Sequence, residues 1–325
     1  MHHLYEMYAG DAERGDEMAA QRKGLRGYRL IILAVVGAVL VIFGALWMSV
    51  IFPSLDKVPT DYENTYYFEG TFSVMNPATM GMDSFPVEQT LKQEAVGTQD
   101  GALLIHEVRT VTNAETGEDI SAVYGDEGTL AVDRSTLEFQ QEIDEAGRRG
   151  QWGPPRPLTA GDSYDLWHPG ALQPLTATYL RSEDFRGLGV FVFEINEADI
   201  NIGTEPQSGF PLLLTTTITQ WVEPASGTVV YNDSITTTSV DYMGQKIPVQ
   251  ISELRYTEGT IAGMMDTARS AKWMLLWFRT LVPWIAIGFG CFLTGSAAAT
   301  VAVRSIRKAR AGKPAEQPQT IHLDI

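Results

Sequence analysis

Two runs without a charge interrupt an otherwise mixed pattern of apolar and polar positions. Residues 30–52 number 23, and at about 1.5 Å of rise each they make a helix of about 35 Å, enough to cross a bilayer core of about 30 Å. Residues 280–303 give a second run of 24. Between them the period changes from helix to strand. In Phe68-Glu69-Gly70-Thr71-Phe72-Ser73-Val74 the apolar side chains share one face, as in a half-buried strand. Strand-like runs follow at 87–96, 102–112, 120–124, 129–132, 175–180, 189–195, 212–223, 228–238 and 248–256, separated by turn pairs such as Asp100-Gly101, Thr116-Gly117 and Ser226-Gly227. No long amphipathic helix falls among them, so the pattern predicts an antiparallel meander. A proline-rich crossing at 150–157 divides the domain, and the pieces at 63–145 and 172–257 share a strand, acid, hydroxyl, strand order. That order fits two duplicated curved half-barrel sheets, with a single sandwich as the other arrangement. Beyond Gly259, Met264, Ala268, Ala271, Leu275 and Phe278 recur at spacings of three and four, predicting a helix over 260–279 that leads into the second apolar run.

Charge orients this layout. Arg22, Lys23, Arg26 and Arg29 precede the first run, and Arg304, Arg307, Lys308, Arg310 and Lys313 follow the second. Basic flanks of this kind stay cytoplasmic, while Trp273, Trp277 and Trp284 mark the opposite interface of the second run. The expected topology is therefore a cytoplasmic segment over 1–29, transmembrane helices at 30–52 and 280–303, an extracytoplasmic β domain over 53–258 and a cytoplasmic tail over 304–325, the whole chain being a two-pass protein of the plasma membrane. The first run exceeds a signal-peptide core, and Trp47-Met48-Ser49-Val50 is a poor cleavage site, so it reads as an uncleaved anchor. Residues 53–271 hold 33 acidic and 12 basic residues, a surface that repels nucleic acid. On the second span Ala286, Gly290, Thr294, Ala298 and Ala302 form a small-residue ridge. Its expected partner is the first span at Ala34 and Ala38, with a homo-oligomeric contact as the alternative.

The chain offers little reactive chemistry. Its one cysteine, Cys291, lies in the second apolar run, so no disulfide framework or thiolate metal cluster is available. Three of the five histidines, His2, His3 and His322, lie in the terminal segments. His106 falls in a strand-like run. Asp162, Asp165 and His168 recur every three residues, but Trp167-His168-Pro169-Gly170 reads as a turn and no helix holds them on one face. Neither a nucleophile elbow nor a phosphate-binding glycine loop nor H-E-x-x-H occurs. No metal, cofactor or catalytic residue is expected, and the chain reads as non-enzymatic. Asn232-Asp233-Ser234 matches the N-glycosylation pattern on the exposed side.

Three pieces, in one order, resemble the porin PorA family of actinobacteria. They are Tyr164-Asp165-Leu166-Trp167-His168-Pro169, where His168 replaces the family's usual acid; Ala177 to Gly187 with the strand Val190-Phe191-Val192-Phe193; and Thr217-Ile218-Thr219-Gln220-Trp221-Val222-Glu223-Pro224-Ala225-Ser226-Gly227-Thr228-Val229-Val230. The resemblance implies an anchored cell-envelope protein and carries over no catalytic residue. The Trp-Val-Glu-Pro-x-x-Gly hairpin is also similar to one in half-barrel lipoprotein carriers. A transmembrane β-barrel fits poorly, because the Thr-rich strands at 215–219 and 236–238 lack an apolar outward face.

The resulting expectation is a binding or scaffolding protein whose curved sheet takes a lipid-like ligand or an envelope partner. The aromatic residues that would line such a sheet are Trp221, Phe191, Phe193, Phe68 and Phe72. They could equally fill the domain's own core. The competing class is an oligomeric channel or transporter subunit, although neither span holds the ionisable residue that ion pathways carry.

Overall fold

The computed structural model describes residues 28–206 and 208–311. The terminal histidines, the basic cluster before Arg29 and the tail beyond residue 311 lie outside the described residues. The chain divides into a unit of apolar helices and a β unit spanning Asp56–Leu276.

In the first unit, the helices Tyr28–Leu55 and Val282–Ala311 pack against each other. Glycine sets the distance. A Cβ on Gly37 would lie 2.6 Å from the carbonyl oxygen of Gly290, one on Gly290 would lie 2.6 Å from that of Gly37, and one on Gly44 would lie 2.9 Å from that of Pro283. Thr294 joins this contact beside Gly37, and Ala297 is buried one turn on. The line of approach therefore runs through Gly37 and Gly44, where backbones can come closer than alanine allows. Ala34 and Ala286 are half-buried beside it, whereas Ala38 and Ala298 are exposed.

A π-helical stretch ends two residues before a proline at each helix: Trp47–Ile51 within the first, before Pro53, and Leu276–Leu281 leading into the second, before Pro283. Proline has no N–H to donate and its ring crowds the preceding turn, so the ladder widens upstream of it. The Phe278 carbonyl, five residues before Pro283, instead accepts a hydrogen bond from the Trp47 indole N–H at 2.7 Å, and the two rings stack.

The β unit is one ten-stranded antiparallel sheet. Its strands are β1 (Glu63–Asn76), β2 (Gly81–Gln99), β3 (Ala102–Asn113), β4 (Asp126–Asp133), β5 (Ser163–His168), β6 (Gln173–Phe185), β7 (Leu188–Thr204), β8 (Pro211–Glu223), β9 (Thr228–Tyr242) and β10 (Gln245–Tyr256). They lie in the order β4-β3-β2-β1-β10-β9-β8-β7-β6-β5. Strands from both proposed halves thus join through β1 and β10, Phe68 opposite Tyr256 and Phe72 opposite Ser252, and one curled sheet takes the place of two. Gly70 is required at this joint, because a Cβ there would lie 1.8 Å from the Glu253 carbonyl oxygen.

The crossing segment links the two outer strands. Val132 of β4 bridges to Phe139, Glu138 to Gln151, and Gln151 to Leu166 of β5, with Gln140 N–H donating to Ala131 and Trp167 N–H to Gln151. The face bearing Ile105, Val111, Phe193 and Ile195 is consequently enclosed, and these side chains are fully buried.

Two local readings change. Residues 120–124 form the short helix Ser121–Tyr124, because the Asp119 carboxylate accepts the Ser121 N–H and the Ser121 hydroxyl accepts the Val111 N–H, bonds that turn the chain. Strand β5 runs through Trp167 and His168, so the turn begins only at Pro169. The helix expected over 260–279 is Glu258–Leu275. Thr257 caps it by accepting the Thr260 N–H, and Ile261, Met264, Met265 and Ala268 cover Phe68, Leu188, Val190, Val230 and Tyr256.

Candidate functional site

The five aromatic residues singled out from sequence do not form one site. Phe68 and Trp221 join the cluster under the helix Glu258–Leu275, Phe191 and Phe193 pack with Tyr179 in a second cluster, and Phe72 belongs to a third with Phe85 and Tyr124. The Trp221 indole donates to the Glu183 carboxylate, and this bond, with Arg181 beside it, holds that carboxyl below the usual range. The spaced acids do not converge either. Asp162 accepts the Thr159 N–H and Asp165 accepts the Thr176 hydroxyl, while strand alternation turns His168 to the opposite face from Asp165. Among the described residues no group of three His, Cys, Asp or Glu is arranged for a metal ion. Asn232 sits within β9 opposite Gln220, half-buried, with its amide oxygen buried.

The enclosed face instead gathers polar groups at its β1–β3 end. Tyr66, Leu91, Arg109 and Asp126 form one row across four strands, and Asn64, Gln93, Glu107 and Gly128 form the next. Gln93, 6% exposed, donates to Glu107 at 2.7 Å and accepts from the Tyr62 hydroxyl at 3.2 Å. The Tyr62 and Tyr66 hydroxyls lie 3.4 Å apart, and burial raises both phenol pKa values. Arg109 reaches Glu107 only at 3.8 Å, and its buried Nε has no hydrogen-bond partner among the described residues. From β5, His168 faces the same region. Burial, with the positive charge of Arg109 second, lowers its pKa to about 4, and its Nδ1 accepts the Ala171 N–H at 3.0 Å. The neutral ring therefore carries its proton on Nε2. On the far wall Ser252, Thr236 and Thr216 succeed one another across β10, β9 and β8, the two threonine hydroxyls 2.8 Å apart.

A buried donor left unpaired costs about 1–3 kcal/mol. Arg109 Nε is such a donor, in an enclosed polar region with a neutral imidazole near it. An anionic or strongly accepting group would satisfy it; nothing in the arrangement positions a nucleophile against a base. The cluster left a trace in the sequence. Gln89, Gln93, Glu107 and Arg109 share strand parity with Val87, Leu91, Ile105 and Val111, polar residues at positions where the pattern places core.

A second buried carboxylate serves the frame. Glu223 is fully buried, and its Oε2 accepts the Ser226 N–H and hydroxyl at 2.9 Å each, holding the β8–β9 turn. Lys272 Nζ of the helix approaches its Oε1 at 3.6 Å.

Among solved structures, the chain is similar to Rv2717c from M. tuberculosis at 11% identity, over 59% of this chain and 92% of that one, with a TM-score of 0.27. It is similar to a MaoC-like dehydratase at 12% identity, over 66% and 82%, with a TM-score of 0.15. No curated protein matches it. The family model described as Porin PorA matches residues 31–299, which takes in both apolar helices' core and the whole β unit. The chain belongs to the porin PorA family.

Proposed function

We propose that this membrane-associated member of the PorA family is a non-enzymatic, two-pass protein of the cell envelope with both termini cytoplasmic, whose extracytoplasmic β domain binds a lipid-like ligand or an envelope partner. The unpaired Arg109 donor on the enclosed face carries the ligand half of this reading. An amphiphile with an anionic head would meet Arg109, with the His168 Nε2–H as a second donor. The basic residues flanking both apolar runs support the orientation.

The test is native mass spectrometry of the full-length protein in mild detergent, with lipid identification after collisional release. A stoichiometric anionic amphiphile is expected, with its occupancy reduced about tenfold or more in Arg109→Gln. A ligand-free wild-type protein, or equal occupancy in the variant, rejects the site. A second reading, an oligomeric channel or transporter subunit, draws on the family's description as a porin. Unitary conductance in planar bilayers from ligand-free protein would favour it.

A further inference from the structure

Between residues 56 and 257 the chain has four methionines, Met75, Met80, Met82 and Met243. All four fall at the tips of two hairpins that are neighbours in the sheet. Met75 pairs with Met82 in the stem of the β1–β2 hairpin, with Met80 in its turn; Met243 lies in the β9–β10 turn. Pairing between β1 and β10 stops at Val74 opposite Gln250, so both tips project beyond it. They lie at the end of the sheet opposite Tyr62 and Thr257, where the chain enters and leaves. The next hairpin extends the group, Phe210 packing edge-on against Tyr242 with ring centroids 5.0 Å apart.

Folding does not account for methionine at these positions. Met80 is 70% exposed and Met243 is 84% exposed, and both adopt left-handed backbone, φ 55° and 52°. Met243 and Gly244 both have positive φ in a two-residue turn, the geometry that favours Asn-Gly. Leu172, also exposed, repeats the pattern in the β5–β6 turn at this end. At the opposite end the corresponding left-handed positions hold Asp100 and Arg186. Flexible, polarisable methionine suits a surface that adapts to an apolar partner. Around the tips stand Asp83, Asp199 and Asp241, with Lys246 ion-paired to Asp199, within a domain of 33 acidic and 12 basic residues. Acidic surroundings select a basic counterpart and steer it in.

We infer that the β1–β2 and β9–β10 tips dock a protein partner through an apolar segment flanked by lysine or arginine. This surface is separate from the Arg109 region and does not depend on it.

The experiment places a photo-crosslinking residue at Ala78 or Gln245 in the full-length protein in its native membrane, with Asp100 as the position at the other end. Both tip positions should attach to the same protein, with the attachment mapped to an apolar segment bordered by basic residues, and position 100 should not. The double variant Met80→Asn with Met243→Asn should lower the crosslink yield about tenfold or more. Its thermal midpoint should hold or rise, showing that it folds, and any lipid released in native mass spectrometry should be unchanged. Attachment to lipid alone, no attachment, equal attachment from position 100, or a yield indifferent to the double variant each overturns the inference.

Discussion

Lowering the pH from 7 to 5 is expected to destabilise the β unit through His168. Its pKa is about 4 in the fold and about 6.5 in an unfolded chain. Between those values the unfolded state binds a proton that the folded state does not. The stabilisation is therefore complete above pH 6.5 and is lost as pH falls toward 4. The full difference is worth about 3 kcal/mol, at about 1.4 kcal/mol per tenfold preference. The interval from pH 7 to 5 covers somewhat more than half of it, and partial solvent access to the ring reduces the expected loss to roughly 1–1.5 kcal/mol. Carboxylates held below their usual range, such as Asp133 and Glu183, lose their contribution at lower pH and leave this window to histidine. Denaturant unfolding of the full-length protein in detergent, followed by tryptophan fluorescence at pH 7, 6 and 5, measures the loss. His168→Gln should lose less than the wild type by that amount. Parallel pH profiles for the two proteins would refute the claim that His168 is held neutral in the enclosed face.

Gly70→Ala should cost about 3 kcal/mol, seen as a lowered denaturation midpoint, because the new Cβ meets the Glu253 carbonyl oxygen at 1.8 Å and must push β1 from β10. Gly37→Leu should lower the thermal midpoint in detergent by separating the helices at Gly290, while Ala38→Leu, on an exposed position, should leave it unchanged. Glu223→Ala should cost about 2 kcal/mol and speed amide exchange at Ser226, whose N–H and hydroxyl lose their shared acceptor. Met243→Asn should stabilise the fold by up to about 1 kcal/mol, since asparagine accepts left-handed backbone more readily; a lower melting temperature would count against the turn geometry.

The two apolar helices and most strands were legible because each rests on a local pattern: an uncharged run long enough for a bilayer, or apolar residues alternating as around Phe68 and Phe72. The helix Glu258–Leu275 announced itself through Met264 and Ala268. What stayed hidden depends on pairing over long distance. The joint between β1 and β10 turns on Gly70, and a lone glycine in a strand does not say which backbone approaches it. The helix contact settled on Gly37 because the closest approach is decided by facing surfaces, and spacing on one helix fixes only a stripe. Trp167-His168-Pro169-Gly170 read as a turn because Pro-Gly dominates it, yet the strand runs up to His168. Arg109 and His168 come together only when the crossing segment joins β4 to β5. Their polar parity was visible; their meeting was not.

The first strand pairs with the last, and this arrangement has a consequence for how the protein is made. Phe68 and Tyr256 are neighbours in space but almost the length of the domain apart in the chain, so closing this joint carries a large loop-closure entropy and a high contact order. During synthesis β1 emerges early and waits with an open edge until β10 has followed it. The final zip therefore falls just before the second apolar helix is made, and the sheet's completion and that helix's emergence become nearly simultaneous events. A ribosome paused after residue 245 would leave a chain with an unsatisfied strand, the form most in need of a chaperone.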